Sequence, residues 1–398
     1  MRVDALVVGA GPAGATAARL LAQAGWSVVL AEKTEFPRRK VCGEFISATT
    51  FPILDACGIG SDFRRLAGPP VRRVALYAGE TMLASPSGEK IWGLALGRDQ
   101  LDLLLRDAAV QAGAQLHQPA ELVAIHRDGD GHFCTLRDKN GEQEFIARVI
   151  VAASGSWNAK GPLALSADDS APSDLFAFKA LFRGGALPDN LMPLIAFPGG
   201  YGGMVHTDGG RTSLSCCLRR DALAKARVLH GGKAADAALA HICASTLGVR
   251  RALKGTVPDG AFLSTGPIRP GIRPRYASGV FATGNIAGEA HPIIAEGISM
   301  AIQSSWLLSQ RLIAAGPKMS AAQQMQIGAD YARAWRSQFS MRIHVAALFA
   351  NLAMRDETRA LCKEVITRFP RLLTWGARIS GKAKMIYRLD YPARSYNV

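Results

Sequence analysis

With 398 residues, 48% of them hydrophobic and 20% charged, the chain has the composition of a globular protein large enough for two domains, which excludes a disordered or fibrous one. No apolar run approaches the ~20 residues of a membrane span, and Asp4 interrupts the N-terminal apolar stretch that would otherwise resemble a signal peptide. Seven cysteines, including the adjacent Cys216 and Cys217, lack C-x-x-C or zinc-finger spacing, so neither disulfides nor a metal site is indicated and a cytoplasmic protein with free thiols is expected. The formal charge of +15 is uneven: residues 316–398 hold 14 Lys and Arg against 5 Asp and Glu. Such a segment suits an acidic partner or an anionic membrane surface, but its charges are scattered as on a solvated helical face. No nucleic-acid partner is expected, since no recognised module or concentrated basic helix is present.

Residues 3–33 carry the strongest local signal. The apolar run Ala5 to Val8 reads as a strand buried on both faces. Gly9, Gly11 and Gly14 follow in G-x-G-x-x-G spacing, then a helical stretch from Ala15 to Ala24, a second apolar strand from Val28 to Ala31, and Glu32. Gly9 permits the tight turn, Gly11 lets a pyrophosphate approach the backbone, and Gly14 lets the helix pack on the sheet. Free N–H groups and the positive end of that helix then face the phosphates. Glu32 is placed to accept from a ribose 2′-hydroxyl and would repel a 2′-phosphate, which implies FAD or NAD rather than NADP.

Further along, residues 71–84 alternate as a strand, and Asp99 is a candidate N-cap for a helix with Leu101, Leu104, Leu105 and Ala108 at helical spacing. Glu121 to Arg127, His132 to Arg137 and Glu144 to Ala147 read as an antiparallel meander, and Val149 to Ala153 as a separate buried strand ending at Ser154-Gly155-Ser156. Residues 174–265 change texture: short β-prone runs (Leu175 to Phe182, Arg211 to Leu218, Gly260 to Ser264) with one helical insertion from Asp221 to Leu247. A buried strand then meets Gly284 and Asn285, and Gly297 to Ala315 is a long helix. From Ala321 the chain is mostly helical, broken at Phe369-Pro370-Arg371.

Four separated pieces share one pattern: GAGPAG with Glu32, PRRKVCGE at 37–44, GRDQLDLLLRDAA at 97–109, and GVFATGNIAGEAHPIIAEGISMAIQSS at 279–305. On these the chain resembles the flavoprotein oxidoreductases grouped around p-hydroxybenzoate hydroxylase and the geranylgeranyl reductases, which include phenol-type monooxygenases and flavin-dependent halogenases. The resemblance implies an α/β fold: a Rossmann-type FAD-binding domain (glutathione reductase-like, p-hydroxybenzoate hydroxylase type) with an inserted β-sheet substrate domain and a helical C-terminal region. The implied boundaries are 1–70, 97–165 and 270–316 for the discontinuous FAD domain, 71–96 and 166–269 for the substrate domain, and 317–398 for the helical region.

It also implies that Gly9, Gly11, Pro12, Ala13, Gly14, Glu32, Lys33 and Arg39 hold the ADP half of FAD, that Arg98 contacts the FAD chain, and that Gly284 and Asn285 meet the ribityl and pyrophosphate region. Asn285 stands where the family carries Asp. Pro292, Gly297 and Ile298 match the loop at the pyrimidine edge, and Cys42 and Gly43 the Cys-Gly beside the isoalloxazine in the reductase branch. Two departures stand out. The family's Asp-Gly, which serves FAD and pyridine nucleotide, is Ser154-Gly155 here, so direct reduction by NAD(P)H has less support than the external-donor role it has elsewhere in the family. The segment from Pro198 to Met204 lacks the tryptophan and final proline of the reductases' substrate motif, and the W-x-W-x-I-P of tryptophan halogenases is missing.

Cys42, Tyr201 and His291 are the candidate catalytic residues. Cys42 could protonate a carbanion, His291 could donate a proton beside the flavin loop, and Tyr201 sits in a glycine-flanked loop on the expected substrate side. His206 is a weaker candidate, while Trp306, Trp335 and Trp375 are expected in the core, as is Val345 to Met354, and Tyr387 and Tyr396 at the surface. The resulting expectation is an FAD-dependent monooxygenase of a hydrophobic or aromatic small molecule in secondary metabolism, with NAD(P)H as external donor or a separate flavin reductase as partner. The alternatives are a reductase of C=C bonds in a prenyl or lipid substrate with the basic segment resting on a membrane, a flavin-dependent halogenase, and a non-catalytic FAD-binding protein.

Overall fold

In the computed structural model the described residues are 1–86, 88–129, 131–155, 162–163 and 171–382, so Ser156, Tyr387 and Tyr396 lie outside them. The apolar strand Arg2–Val8 pairs in parallel with Val28–Ala31 on one side and with Gly141–Ala152 on the other. Gln115–His117 and Val280–Ala282 extend this sheet in parallel on either side, and Tyr276–Ala277 adds an antiparallel edge beyond Val280–Ala282. Every residue of Val28–Ala31 is buried, because helices cover the sheet. The helix Pro12–Gln23 leaves the first strand through Gly9, whose φ of 104° only glycine adopts easily. A Cβ at Gly14 would stand 1.8 Å from the Gly9 carbonyl oxygen, so this close approach of helix and turn also requires glycine. Helices Arg98–Gln111 and Gly297–Ala315 pack beside it through Leu101, Leu105, Ile298 and Ile302.

The second sheet runs Val257–Pro258, Leu175–Arg183, Arg211–Arg219, Gly200–His206, Leu191–Phe197, Arg73–Ala78 and Thr81–Ala84. Its two faces follow from the strand period of two. Phe178, Cys216, Met204 and Ile195 point to one face, where helices Arg220–His230, Ala234–Ser245 and Leu247–Ala252 cover them. Cross-strand rows Ala177, Cys217, Tyr201 and Lys179, Ser215, Gly203, Leu194 lie on the other face, toward the first sheet. The adjacent Cys216 and Cys217 therefore serve opposite faces. All seven cysteines are free.

Several elements differ from the sequence expectation. Residues 71–84 form a hairpin, turned at Gly79 with φ 58°. The meander's last strand and the expected buried strand are one continuous strand, Gly141–Ala152, since nothing between Ala147 and Val149 breaks it. The helical insertion is three helices, parted at Gly231 and Gly232 (φ 70° and 77°) and at the extended Thr246. The helix at 98 has Gly97 as its N-cap, and Asp99 in its first turn pairs with Arg211 instead. Tyr201 is in the strand Gly200–His206, not in a loop: its neighbouring glycines let the strand lie close to its partner, a Cβ at Gly202 meeting the Ser215 carbonyl oxygen at 2.6 Å. In the C-terminal region, Ala321–Met354 is a single 34-residue helix opened by a Ser320–Gln323 capping box. It buries Trp335, Ala346 and Ala350 but exposes Leu348, so only one face of residues 345–354 is core. Trp306 is half-buried, and Trp375 is 58% exposed rather than in the core.

A buried ion pair ties the loop after the basic run to the second sheet. Glu44, in the loop after the basic run, meets Lys179 from the inner face of the second sheet, and both side chains are 1% exposed. Glu44 Oε1 also accepts from the Arg98 N–H at 3.1 Å, and its backbone is held in the left-handed region at φ 61°. Lys179→Met should leave a buried carboxylate uncompensated and lower the unfolding free energy by roughly 3–5 kcal/mol. The pair Glu44→Gln with Lys179→Met should recover most of that in urea titrations, and equal losses in single and double variants would remove the ion pair as the cause.

Candidate active site

Between the C-terminal ends of the first sheet's strands and the inner face of the second lies a cavity of about 630 Å³, within the range of small-molecule sites. Four chain segments meet there. The glycine turn contributes Gly9, Gly11, Pro12 and Ala13; the basic loop contributes Lys33, Arg39, Cys42 and Gly43; Gly284 and Asn285 follow the strand Val280–Ala282; and Pro292, Gly297 and Ile298 open the long helix. Arg98 and Tyr201 complete the set, while Gly14, within the helix and facing the Gly9 turn, and His291, behind Tyr201, do not reach the cavity wall.

The residues fit a flavin dinucleotide. The helix Pro12–Gln23 starts with no capping side chain, so its first N–H groups are free for phosphate. A Cβ at Gly11 would meet only Arg98 Nη2, at 3.5 Å, and one at Gly297 would meet no atom within 4 Å. Both glycines thus border space that the protein leaves open. Ser154 Oγ is buried beside that space without a hydrogen-bond partner among the described residues. Asn285 holds its amide toward Glu289, donating from Nδ2 at 3.0 Å.

Two basic residues are less free than their sequence positions suggest. Arg39 spends its guanidinium on Asp259, donating to its carbonyl at 2.6 Å, and approaches Asp99 at 4.0 Å. Arg38, which sequence reasoning passed over, grips Glu32 through two bonds of 2.8 and 3.1 Å. Glu32 also accepts from the Ala10 and Thr34 N–H groups at 2.9 and 3.0 Å, so a ribose hydroxyl must compete with Arg38 for the carboxylate. Arg98 is fixed by Asp102 at 2.7 and 2.8 Å and reaches the Cys42 thiol, whose sulfur also accepts from the Glu44 N–H at 3.4 Å.

On the opposite wall, the Tyr201 hydroxyl lies 3.1 Å from His291 Nδ1. Burial, with Cys217 alongside, pushes the Tyr201 phenol well above its usual range, and burial pushes Cys217 up to about 12. Burial also lowers His291 to about 4, so phenol, thiol and imidazole are all neutral at pH 7. In the Nε2-protonated tautomer, Tyr201 donates to Nδ1. His206 is elsewhere, bound to the Leu187 carbonyl at 2.8 Å and to Thr212. Lys179 and Ser215 were also missed, although a lone lysine within the apolar run LFAFKALF signals a buried partner, and a Cβ at Gly43 would touch Ser215 at 3.3 Å.

An uncapped glycine-turn helix, an open cradle beside it and a second sheet closing the far wall define a dinucleotide-binding flavoprotein. Residues 2–164 match the FAD binding domain family. It is similar to a menaquinone reductase of Mycobacterium tuberculosis, 33% identical over 153 residues that cover 37% of each chain, so the match spans just over a third of that relative. In fold it is similar to the flavin-dependent brominase Bmp2, with a TM-score of 0.79 over 96% of this chain and 94% of the other at 18% identity. A geranylgeranyl bacteriochlorophyll reductase-like protein of Thermoplasma acidophilum gives a TM-score of 0.69 over 95% and 99% at 19% identity.

Two predictions follow from the geometry. Gly11→Val should retain its melting temperature yet lose more than about tenfold in FAD affinity, read as flavin absorbance per chain after gel filtration. Full flavin in that variant would remove the phosphate assignment. His291 has a folded pKa below its unfolded value near 6.5, so its contribution to stability is complete above that value and is lost as pH falls toward about 4. His291→Phe should therefore flatten stability against pH between these limits, by up to ~3 kcal/mol, in denaturant titrations at stepped pH.

Proposed function

We propose that the protein is an FAD-dependent monooxygenase of an uncharged, apolar or aromatic small molecule. The observation that carries this reading is the wall supplied by the second sheet: Ala177, Leu194, Gly203, Ser215 and Cys217 are uncharged, Lys179 in the same cross-strand rows is neutralised by Glu44, and Glu289, which lines the cavity near Tyr201 and Cys217, is met by Arg273 at 3.8 Å. A charged substrate would lose its hydration there without gaining a counter-ion.

Bound FAD supplies two-electron transfer and, once reduced, oxygen activation. The chain supplies the rest. The helix beginning at Gly297 turns its positive end to the cavity and stabilises negative charge arising there. The neutral Tyr201 hydroxyl can hold a substrate hydroxyl or carbonyl, with His291 fixing its direction. The buried surroundings of both exclude water from the reacting face. Ser154, in place of the family's Asp, favours reduction of the flavin by a separate reductase or by a weakly bound NAD(P)H.

The second reading is reduction of a C=C bond in a prenyl or quinone lipid. It is favoured by the likeness to menaquinone reductase in the FAD region and by Cys42 on the cavity wall, where a thiol can deliver a proton. Oxygen separates the two. The monooxygenase reading expects substrate-dependent oxygen uptake matching product, with label from oxygen gas in the product. Turnover under strict anaerobiosis with a reduced donor would overturn it in favour of the reductase.

A further inference from the structure

We infer that the last two described helices form a docking surface for an anionic lipid bilayer, set over the outer side of the cavity wall. The helices Asp356–Arg368 and Arg371–Ala377 are two-faced. Inward, Ile366, Leu373 and Ala377 pack on a cluster that includes Phe45, Met192 and Val205, and these three also line the cavity. Outward, Leu361, Val365, Phe369, Leu372 and Trp375 are 65%, 41%, 57%, 37% and 58% exposed. Five large apolar side chains within fifteen positions is a concentration that a freely dissolved surface does not need.

The occupant is indicated by charge. Lys363, Arg368, Arg371 and Arg378 are interleaved with that apolar series, and Glu364 is the only acid between Lys363 and Arg378. None of Arg368, Arg371 and Arg378 forms an ion pair among the described residues. Aromatic and aliphatic groups ringed by basic ones match the headgroup boundary of an anionic membrane, where rings enter the interface and cations meet lipid phosphate. Among the described residues no helix is long and apolar enough to cross a bilayer, so the contact is peripheral. Because the inner side of these same helices rests on cavity-lining residues, the surface brings the site next to a lipid phase. This holds whether the site oxygenates or reduces.

The test is co-sedimentation of the full flavin-loaded chain with phosphatidylcholine vesicles, with and without phosphatidylglycerol. The expected result is binding to the anionic vesicles, weakened by salt, and little to pure phosphatidylcholine. Phe369→Ser, Leu372→Ser and Trp375→Ser together should reduce binding roughly tenfold or more with unchanged flavin content and melting temperature. Arg368→Gln, Arg371→Gln and Arg378→Gln together should abolish the dependence on phosphatidylglycerol. Failure of the wild-type chain to bind anionic vesicles, or equal binding by the serine variant, would overturn the inference. So would a dimer in sedimentation that the serine variant dissolves, since that assigns the face to a second copy.

Discussion

The buried pair of Glu44 and Lys179 is the constraint on which the site depends. Glu44 belongs to the loop that carries Cys42 and Gly43, and Lys179 to the sheet that forms the opposite wall. A charge pair this deep contributes little net stability compared with apolar groups of equal size, because both partners are desolvated. What it secures is position. Neither charge can leave its partner without a large penalty, so loop and sheet keep one separation, and Glu44 is held at a backbone conformation costly for a residue with a Cβ. The bond from Arg98 N–H to the same carboxylate brings the start of a third element to this point.

Around that joint the polar groups are divided by location. Toward the glycine turn the cavity has N–H groups, Ser154 and an arginine fixed by Asp102, which suits phosphates and hydroxyls. Toward the second sheet it has Tyr201 and Cys217, with His291 behind Tyr201, all three neutral at pH 7 because burial disfavours their charged forms. The wall of the second sheet that faces the cavity is otherwise built of apolar and small residues, Ala177, Leu194 and Gly203. The C-terminal helices extend the same apolar character outward, since their inner residues share a cluster with the cavity wall.

Much of the first domain was legible locally. A buried strand, a glycine turn, a helix and a second strand each announce themselves within a few residues. The misplaced elements were those where local signals conflict. Tyr201 stands among glycines, which read as a loop, yet those glycines allow neighbouring strands to approach closely. Trp375 carries the residue type of a core position, but the helix beneath it is filled inward by Leu373 and Ala377.

By itself the sequence determined the dinucleotide-binding unit and the presence of a second, β-rich region, because each is encoded by short-range periodicity or by a backbone that only glycine permits. Tertiary structure alone decided that Tyr201 meets His291 across 90 residues, that Lys179 meets Glu44 across 135, and that Arg38 occupies the carboxylate of Glu32. The physical reason is that a period of two tells which residues share a sheet face, while the loop opposite that face is chosen by the closure of the whole chain around its cores.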